Sequence, residues 1–274
     1  MKSLLKQFWS LFSYLTPNGS KKPNLSTVIN YCTNDYRFIG PCIEQASKFS
    51  AEVIVPFTDH FYDGTPENQT LLDRTIAENP QARFEFFPYD QKLDVLPQYW
   101  VTYARVVGWK KSRPETDFIL FLDADEVVDG ERFIKWIEKF PVSKMNAIKL
   151  ANYYYFRETR YQAETFEDSV VLARKSLLTE TMIMDFLDRD KSYRDLAEPK
   201  ARMVLGADQK PLIHHYSWVR SEEEMVKKVS TWGHSHERPW VELVREEFAN
   251  GFKGKDFVHG YQYKTVEPFI SISE

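Results

Sequence analysis

Hydrophobic and polar positions in the first half of the chain alternate between short apolar runs and helix-like stripes. Apolar runs of strand length lie at 26–32, 52–55, 83–87 and 118–122. Between these runs, apolar side chains recur every three or four residues, as they do on one face of a helix. Short strands that alternate with amphipathic helices are typical of an α/β fold with a mostly parallel sheet and helices on both faces.

Local signals predict where several of these helices begin. Pro41 fits the first turn of the helix after the first strand, and Thr65 suggests the start of the next helix. Asp129 can cap the helix after the fourth apolar run, and Ser221 with Glu224 forms a capping box. The loops that follow the strands should therefore meet at one edge of the sheet.

The second half of the chain is less regular. Strands are predicted at 147–150 and 170–174, separated by a stretch rich in tyrosine, arginine and glutamate. Residues 182–199 carry several acidic side chains with little periodicity, and a long irregular stretch inside a compact domain is usually functional. We therefore expect a regular half at 24–145 and an irregular half at 146–274.

Residues 1–23 form a separate predicted segment. Apolar side chains between residues 2 and 15 fall at helical spacing, and the residues up to 23 are typical of a linker. Such a helix either lies in a membrane interface or packs on the domain or on another subunit. Because no run reaches the ~18 apolar residues of a transmembrane helix and no signal-peptide cleavage site follows, we expect a cytoplasmic protein, either soluble or peripheral on the membrane.

The main candidate site follows the apolar run at 118–122. Asp123, Asp125 and Glu126 place three carboxylates within four residues at the end of what should be a buried strand. Crowded carboxylates repel one another and are costly to desolvate unless a cation lies among them. Ligands of open α/β sheets bind at the carboxyl ends of strands, so the pattern predicts Mg²⁺ or Mn²⁺ carried in on a diphosphate. The alternative is a solvated acidic loop that caps the next helix.

Composition excludes several other classes of protein. The net charge of −4 provides no general attraction to nucleic acid. Two cysteines, Cys32 and Cys42, exclude a disulfide framework, and both are expected to be reduced and buried. His234 and His236 suggest zinc, but no cysteine accompanies them and their spacing is not diagnostic, which favours surface residues.

Four motifs, in this order, resemble the family 2 glycosyltransferases of the GT-A type, in particular bacterial and viral members. They are Thr-Asn-Asp at 33–35, the polar loop at 59–68, Asp-Ala-Asp at 123–125, and His-Tyr-Ser-Trp-Val-Arg at 215–220 with Trp-Gly-His after it. The resemblance implies a GT-A-type nucleotide-diphospho-sugar transferase fold over 24–274. Its first half would bind the nucleotide sugar, and its second half, with the C-terminal helices, would bind the acceptor.

The resemblance also implies roles for individual residues. The donor would be bound by Asn34, Asp59, Arg105, Asp123 and Arg220, the two arginines holding diphosphate oxygens. The metal would be bound by Asp125, Asp123 and His215, with His214 as an alternative to His215. The general base would be Asp195 or Glu198, with Asp168 and Asp185 as alternatives.

The function expected from this resemblance is metal-dependent transfer of a sugar, with inversion, from a nucleotide-diphosphate donor to a hydroxyl of a glycan or glycolipid. One alternative is a haloacid-dehalogenase-like phosphatase, in which Asp123 would be the nucleophile and Asp125 the acid/base. Another is a non-catalytic carbohydrate-binding module on the same fold, in which the aromatic run at 153–156 would stack on sugar rings.

Overall fold

The computed structural model describes residues 22–185, 188–197, 201–231 and 238–272. The predicted helix at 2–15, Glu198, His234 and His236 lie outside these residues. Within the described part of the chain, no helix is long and apolar enough to cross a membrane.

Strands and helices alternate through the first half, and a more strand-rich half follows. The strands are β1 (Leu25–Asn30), β2 (Glu52–Phe57), β3 (Arg83–Phe86), β4 (Phe118–Asp123), β5 (Glu126–Val128), β6 (Ala147–Phe156), β7 (Glu158–Ala163), β8 (Glu167–Arg174), β9 (Ile213–Trp218) and β10 (Tyr263–Thr265). The helices are α1 (Tyr36–Ser47), α2 (Gln69–Glu78), α3 (Pro97–Lys111), α4 (Gly130–Ile137), α5 (Glu180–Ile183), α6 (Asp188–Leu196), α7 (Glu222–Thr231) and α8 (Trp240–Asn250). Short 3-10 helices lie at Thr33–Asp35, Val142–Lys144 and Lys175–Leu177.

The sheet has a parallel half and a largely antiparallel half. Strands β4, β1, β2 and β3 lie side by side and are all parallel. Beyond β4, the order β8, β6, β7, β10 is antiparallel throughout. A ribbon of β5 and β9 joins the sheet where β9 pairs in parallel with the second half of β6. The predicted α/β class is therefore confirmed, and its parallel part corresponds to the predicted regular half.

Helices cover both faces of the sheet, as predicted. Leu120 and Leu122 of β4 face one core, which includes side chains of α1, α2 and α4. Ile119 and Phe121 face the opposite core, with side chains of α3, α5 and α6. Because all four of these side chains are at most 3% exposed, β4 is buried on both faces, which explains its unbroken apolar sequence.

Two predicted helix starts are wrong. Helix α1 begins at Tyr36, so Pro41 lies inside the helix and not in its first turn. The 3-10 turn at Thr33–Asp35 leads directly into α1, which explains the earlier start. Helix α2 begins at Gln69, with the Asn68 side chain accepting the capping hydrogen bond. The hydroxyl and the N–H of Thr65 both bond to Asp63 instead, in the preceding turn.

The other predicted caps are confirmed. The Asp129 carboxylate accepts a hydrogen bond from the Arg132 N–H at the start of α4. The Ser221 hydroxyl accepts from the Glu224 N–H, and the Glu224 carboxylate accepts from the Ser221 N–H. Both cysteines are free, as predicted. Cys42 is buried, whereas Cys32, expected to be buried as well, is only half-buried.

The second half is more regular than its sequence suggests. Strand β6 continues to Phe156 and turns into β7, so the stretch between the two predicted strands is a hairpin. The residues Tyr154, Tyr155 and Phe156 are at most 2% exposed, so most of the aromatic run belongs to the core. Part of the acidic stretch forms α6, which packs through buried Arg189, Ser192, Tyr193 and Leu196. Two of these buried residues are polar, so the helix lacks the apolar stripe that would have revealed it.

Candidate functional site

The site is built around the tight connection between β4 and β5, which carries the three predicted acids. The Ala124 N–H donates to the Asn30 carbonyl at the end of β1, at 3.0 Å. The Tyr216 N–H donates to the Asp125 carbonyl at 2.8 Å, and the Asp123 N–H to a Glu126 carboxylate oxygen at 2.8 Å. Because β1, β9 and the turn itself all hold this backbone, the directions of the acidic side chains are fixed by the sheet.

Two arginines hold Asp123. Arg105 Nη2 donates to Asp123 Oδ1 at 2.8 Å, and Arg189 Nη2 donates to Asp123 Oδ2 at 3.2 Å. Burial opposes the charge of this carboxylate, but the charges of Arg189 and Arg105 outweigh burial and hold the Asp123 pKa well below its usual range. Both carboxylate oxygens are therefore engaged, which disfavours the phosphatase alternative because that reaction needs Asp123 as a nucleophile.

Arg105 lies off the apolar stripe of α3, yet its side chain is buried. It is 2% exposed and belongs to a second buried face of the helix. On this face α3 comes so close to β1 that a Cβ on Gly108 would lie 2.3 Å from the Val28 side chain. This close approach brings the Arg105 side chain to the end of β4, where Asp123 lies.

Glu126 and Arg189 form a buried bidentate ion pair that sequence analysis missed. Arg189 donates to the two oxygens of Glu126 at 2.6 and 3.0 Å, and Glu126 is fully buried. The Ser169 hydroxyl donates to the same carboxylate at 2.7 Å. The charge of Arg189 lowers the pKa of Glu126 despite its burial. Arg189 thereby joins α6 to both ends of the acidic turn, and no motif around it in the sequence signals this role.

Asp125 is held much less firmly than Asp123. Its Oδ1 lies 3.7 Å from His215 Nε2, and its Oδ2 lies 3.6 Å from Arg220 Nη2. Burial, followed by the charge of Asp35, raises the Asp125 pKa to about 6, against the attraction of His215, Lys228 and Arg220. A carboxylate with these neighbours is poised to gain a further cation.

The two neighbouring histidines of β9 have different environments. His215 directs Nε2 toward Asp125, and its buried Nδ1 has no hydrogen-bond partner among the described residues. His214 points to the opposite side of the strand, where its ring stacks on Phe269 at 4.1 Å and its Nδ1 bonds to Tyr155 at 2.7 Å. Burial lowers the pKa of His214 to about 3, so this histidine is a neutral core residue. Of the two, His215 is the one placed to bind a ligand beside Asp125.

A group of cationic side chains borders Asp125 on the side of α7. Arg220 donates to Asp35 at 2.7 Å, and Lys227 donates to the Asn34 side chain at 2.8 Å. Lys228 bonds to the hydroxyl and carbonyl of Ser217. Burial and then the charge of Arg220 lower the pKa of Lys228 to about 8, although Asp125 and Asp35 oppose this. Asn34 and Arg220, both predicted to bind the donor, thus lie on one surface. The same surface includes Asp35, Lys227 and Lys228, which the sequence did not indicate.

Asp59 lies at the margin of this surface. It is exposed, and its carboxylate bonds to His60 at 2.8 Å. Its loop reaches the site through Glu67, which accepts hydrogen bonds from the N–H and the hydroxyl of Thr33. The structure therefore brings the Asp59 loop to the start of the 3-10 turn. Within the described part of the chain, Asp59 has no hydrogen bond to the acids at the end of β4.

The predicted general bases that the structure describes, Asp195, Asp168 and Asp185, pair with cationic side chains outside the acidic turn. Asp195 is exposed on α6, and its Oδ1 is 3.8 Å from Lys191 Nζ on the same helix. Asp168 is engaged by Arg202 and Lys149. Asp185 lies 4.0 Å from Lys191. Glu198 is outside the described residues, so the base assignment stays a prediction.

The residues at the turn fit a divalent cation that arrives with a ligand. Within the described ranges, no group of three His, Cys, Asp or Glu side chains is arranged to hold a metal. Asp125 and His215 nevertheless present one oxygen and one nitrogen toward each other, and Mg²⁺ is commonly bound by one or two protein groups plus substrate phosphates. Asp123 is less available than Asp125 as a direct ligand in this arrangement, because each of its oxygens already accepts a hydrogen bond from an arginine.

A groove lies at the opposite end of β4 from the acidic turn. It has a volume of about 410 Å³ and is lined by residues that include Trp109, Thr116 and Lys175, which lie near the start of β4 and the end of β8. The acidic turn lies at the opposite end of β4. The groove is therefore separate from the candidate site.

Comparison with known proteins gives a similarity of structure only. No family model and no curated sequence matches the chain. The chain is similar to a mannosyltransferase from Pyrobaculum calidifontis, solved with GDP-Man and Mn²⁺, with 11% identity and a TM-score of 0.49 over 84% of this chain and 69% of that one. It is also similar to the galactosyltransferase LgtC, solved with donor and acceptor sugar analogues, with 11% identity and a TM-score of 0.42 over 81% of this chain and 95% of that one. At these values the similarity concerns the outline of the fold, and the ligands are those of the other proteins.

Proposed function

We propose that the chain is a glycosyltransferase that binds a nucleotide-diphosphate sugar at the carboxyl ends of β1 and β4. The observation that carries this proposal is the pair formed by Asp125 and His215, with Arg220 beside it. An oxygen and a nitrogen ligand next to a guanidinium suit a diphosphate with its divalent cation. The four sequence motifs that resemble family 2 enzymes of the GT-A type support the same conclusion.

Asp125 and His215 would hold the divalent cation, Mn²⁺ or Mg²⁺, together with diphosphate oxygens of the donor. When bound, the cation would neutralise the charge that develops on the departing nucleoside diphosphate. The protein's own cations act on the same charge. Arg220 is fixed by Asp35 with its guanidinium 3.6 Å from Asp125, so it can reach a diphosphate bound there without reorganisation.

Asp123, by contrast, has a structural part in the proposed site. Arg105 and Arg189 neutralise it, so it can offer carboxylate lone pairs to a ribose hydroxyl while its orientation stays fixed. The nucleoside would extend from there toward Asn34 and the loop of Asp59. A family 2 reaction would invert the anomeric centre in one displacement, with a carboxylate of 182–199, Asp195 or Glu198, accepting the proton of the acceptor hydroxyl.

The test is a calorimetric titration of UDP, GDP and TDP into the full chain, first with Mn²⁺ and then with EDTA. We expect one nucleotide to bind, and EDTA to weaken its binding by at least about tenfold, which corresponds to about 1.4 kcal/mol. Release of free sugar from the matching nucleotide sugar then reports turnover without knowledge of the acceptor. Absence of binding by all three nucleotides under both conditions would contradict the proposal.

A further inference from the structure

An aromatic group lies next to His215, formed by Tyr154, His259 and Tyr261. The ring of Tyr154 approaches that of His215 edge-on, with 5.5 Å between centroids. His259 and Tyr261 approach Tyr154 at 5.3 and 6.1 Å, and they stack on each other at 5.0 Å. Tyr154 is buried, His259 is exposed and Tyr261 is half-buried. A single buried ring therefore separates the proposed cation ligand from an accessible aromatic surface.

The loop that carries His259 and Tyr261 is rigidly built. The Asp256 carboxylate, which is 3% exposed, accepts hydrogen bonds from the N–H groups of His259, Gly260 and Tyr261. Arg238 donates to two carbonyls of the same loop. Since a buried carboxylate fixes three consecutive N–H groups, the two rings keep their places without a ligand, as a preorganised surface does.

Glu167 connects this aromatic surface to the acidic turn. Glu167 pairs with Asn152 of β6, two residues before Tyr154 on the same strand. Burial, followed by the charge of Glu167, raises the pKa of Tyr261 to about 12. Glu167 opens β8, and Ser169, two residues further along the same face, bonds to Glu126. The aromatic loop and the end of β4 thus lie on one continuous face of the sheet.

We propose that His259, Tyr261 and Glu167 form the subsite that binds a neutral sugar ring of the acceptor. The apolar C–H face of a pyranose suits an accessible aromatic pair, and a carboxylate beside the ring accepts hydrogen bonds from sugar hydroxyls. Arg220 and Lys228 border Asp125. On the aromatic loop, Arg238 is engaged by two loop carbonyls and Asp256 by three N–H groups, whereas the charge of Glu167 acts on Tyr261. An aromatic pair beside a carboxylate suits an uncharged polyol better than a phosphate.

This inference rests on the proposed function in one respect, namely that the bound sugar is the acceptor of the transfer. The test uses methyl α- and β-glycosides of glucose, galactose and mannose as probes, observed by saturation-transfer NMR with the full chain. The measurements are made with Mg²⁺, first without nucleotide and then with the nucleotide selected by calorimetry, if one binds. We expect at least one glycoside to give a signal, and the double variant His259→Ala/Tyr261→Ala to weaken its binding by about tenfold.

Two further variants serve as controls. One tests whether the chain still folds, and the other tests whether the sugar binds in the groove at the opposite end of β4. Exposed His259→Ala alone should retain the thermal transition of the native chain and still weaken glycoside binding. Trp109→Leu changes an aromatic residue of the groove and should leave glycoside binding unchanged. Loss of the signal in Trp109→Leu but not in His259→Ala would overturn the proposal, because the sugar would then lie in the groove.

The outcome also separates this inference from the proposed function. Nucleotide binding without binding of any glycoside would overturn the acceptor subsite and leave the donor site standing. Glycoside binding that depends on His259 and Tyr261, without nucleotide binding, would support the sugar subsite and contradict the transferase. Binding of neither class of ligand would overturn both.

Discussion

Asp123 and Asp125 are separated by one residue, yet their surroundings have little in common. Asp123 is locked between Arg105 and Arg189, whose charges keep it ionised. Asp125 lies 3.6 Å from Arg220 and 3.7 Å from His215, and its pKa is raised to about 6. The protein itself provides hydrogen-bonded cations for Asp123, whereas the neighbours of Asp125 lie at longer distances and leave room for a ligand.

This difference shows how one short motif can combine structure and function. In a buried turn, an ionised carboxylate is tolerated only where a cation compensates it. The chain supplies that cation for Asp123 and Glu126 through Arg189, on a helix that joins the turn from another part of the sequence. For Asp125 it supplies only partial compensation, so binding of a cation there would relieve an existing electrostatic cost.

The largest effect should come from removing Arg189, which holds Asp123 and Glu126. Replacing Arg189 by Met leaves Glu126 and Asp123 without a cation that both contact, so we expect the free energy of unfolding to fall by about 3–5 kcal/mol. Urea unfolding followed by circular dichroism measures this. Arg194→Met on the same helix is the control, because its exposed pair with Asp190 should contribute less than about 1 kcal/mol. Equal stability of the two variants would show that Arg189 does not hold the turn.

The next largest effect is expected at Asp125 and concerns nucleotide binding. Asp125→Asn should weaken metal-dependent nucleotide binding by at least about tenfold, since a neutral amide is a poorer ligand for Mn²⁺ or Mg²⁺. Its stability should not fall, because burial and Asp35 oppose the charge of Asp125 in the absence of ligand. Calorimetry and urea unfolding measure the two quantities. Asp123→Asn should lower the free energy of unfolding more than it lowers the affinity for nucleotide. If the two variants change both quantities equally, the proposed difference between the two acids is wrong.

A smaller effect is expected from Arg220→Lys. Arg220 contacts Asp35 at 2.7 Å and Asp125 at 3.6 Å with one planar group, which a lysine cannot reproduce. Nucleotide affinity should fall several-fold, by about 1 kcal/mol, measured by calorimetry. Arg37→Lys is the matched control, since Arg37, near the start of α1, joins the same two parts of the chain through Glu224 and the Val219 carbonyl. Equal losses in both would point to helix packing as the cause.

The smallest effect on fold and donor binding should come from Asp195→Asn. The side chain is exposed and its pair with Lys191 is loose, so both quantities should change by less than about 0.5 kcal/mol. If Asp195 is the base, transfer to an acceptor should nevertheless fall by about 10²–10⁴-fold. Transfer at the native rate would exclude Asp195 and direct attention to Glu198.

The sequence predicts the parts of this structure that depend on local pattern. The apolar run of β4 predicts a strand that is buried on both faces, and the capping box at Ser221 predicts the start of α7. The acids after β4 indicate where the candidate site lies. Arg105 was harder to place because α3 buries two faces and an apolar stripe reveals only one. Arg189 could not be predicted, because α6 is anchored by polar contacts that leave no periodic signal.

The residues of the aromatic loop, like Arg189, could not be predicted from the sequence. His259 and Tyr261 lie in a short stretch without a motif, and their relation to His215 arises only when β6 and β9 pair side by side. Pairing between strands distant in sequence depends on the whole fold. Residues joined in this way can be recognised from coordinates and not from spacing.

The position of β9 between β5 and β6 has a consequence for the order in which the protein is assembled. Arg220, just after β9, bonds to Asp35, 185 residues earlier in the chain. Contacts of such long sequence separation form late, because the intervening chain must first be brought together. On the ribosome, the parallel strands would be complete well before His215 and Arg220 emerge. A growing chain could therefore form the parallel part of its sheet early, while the proposed nucleotide site would be complete only after His215 and Arg220 have joined it.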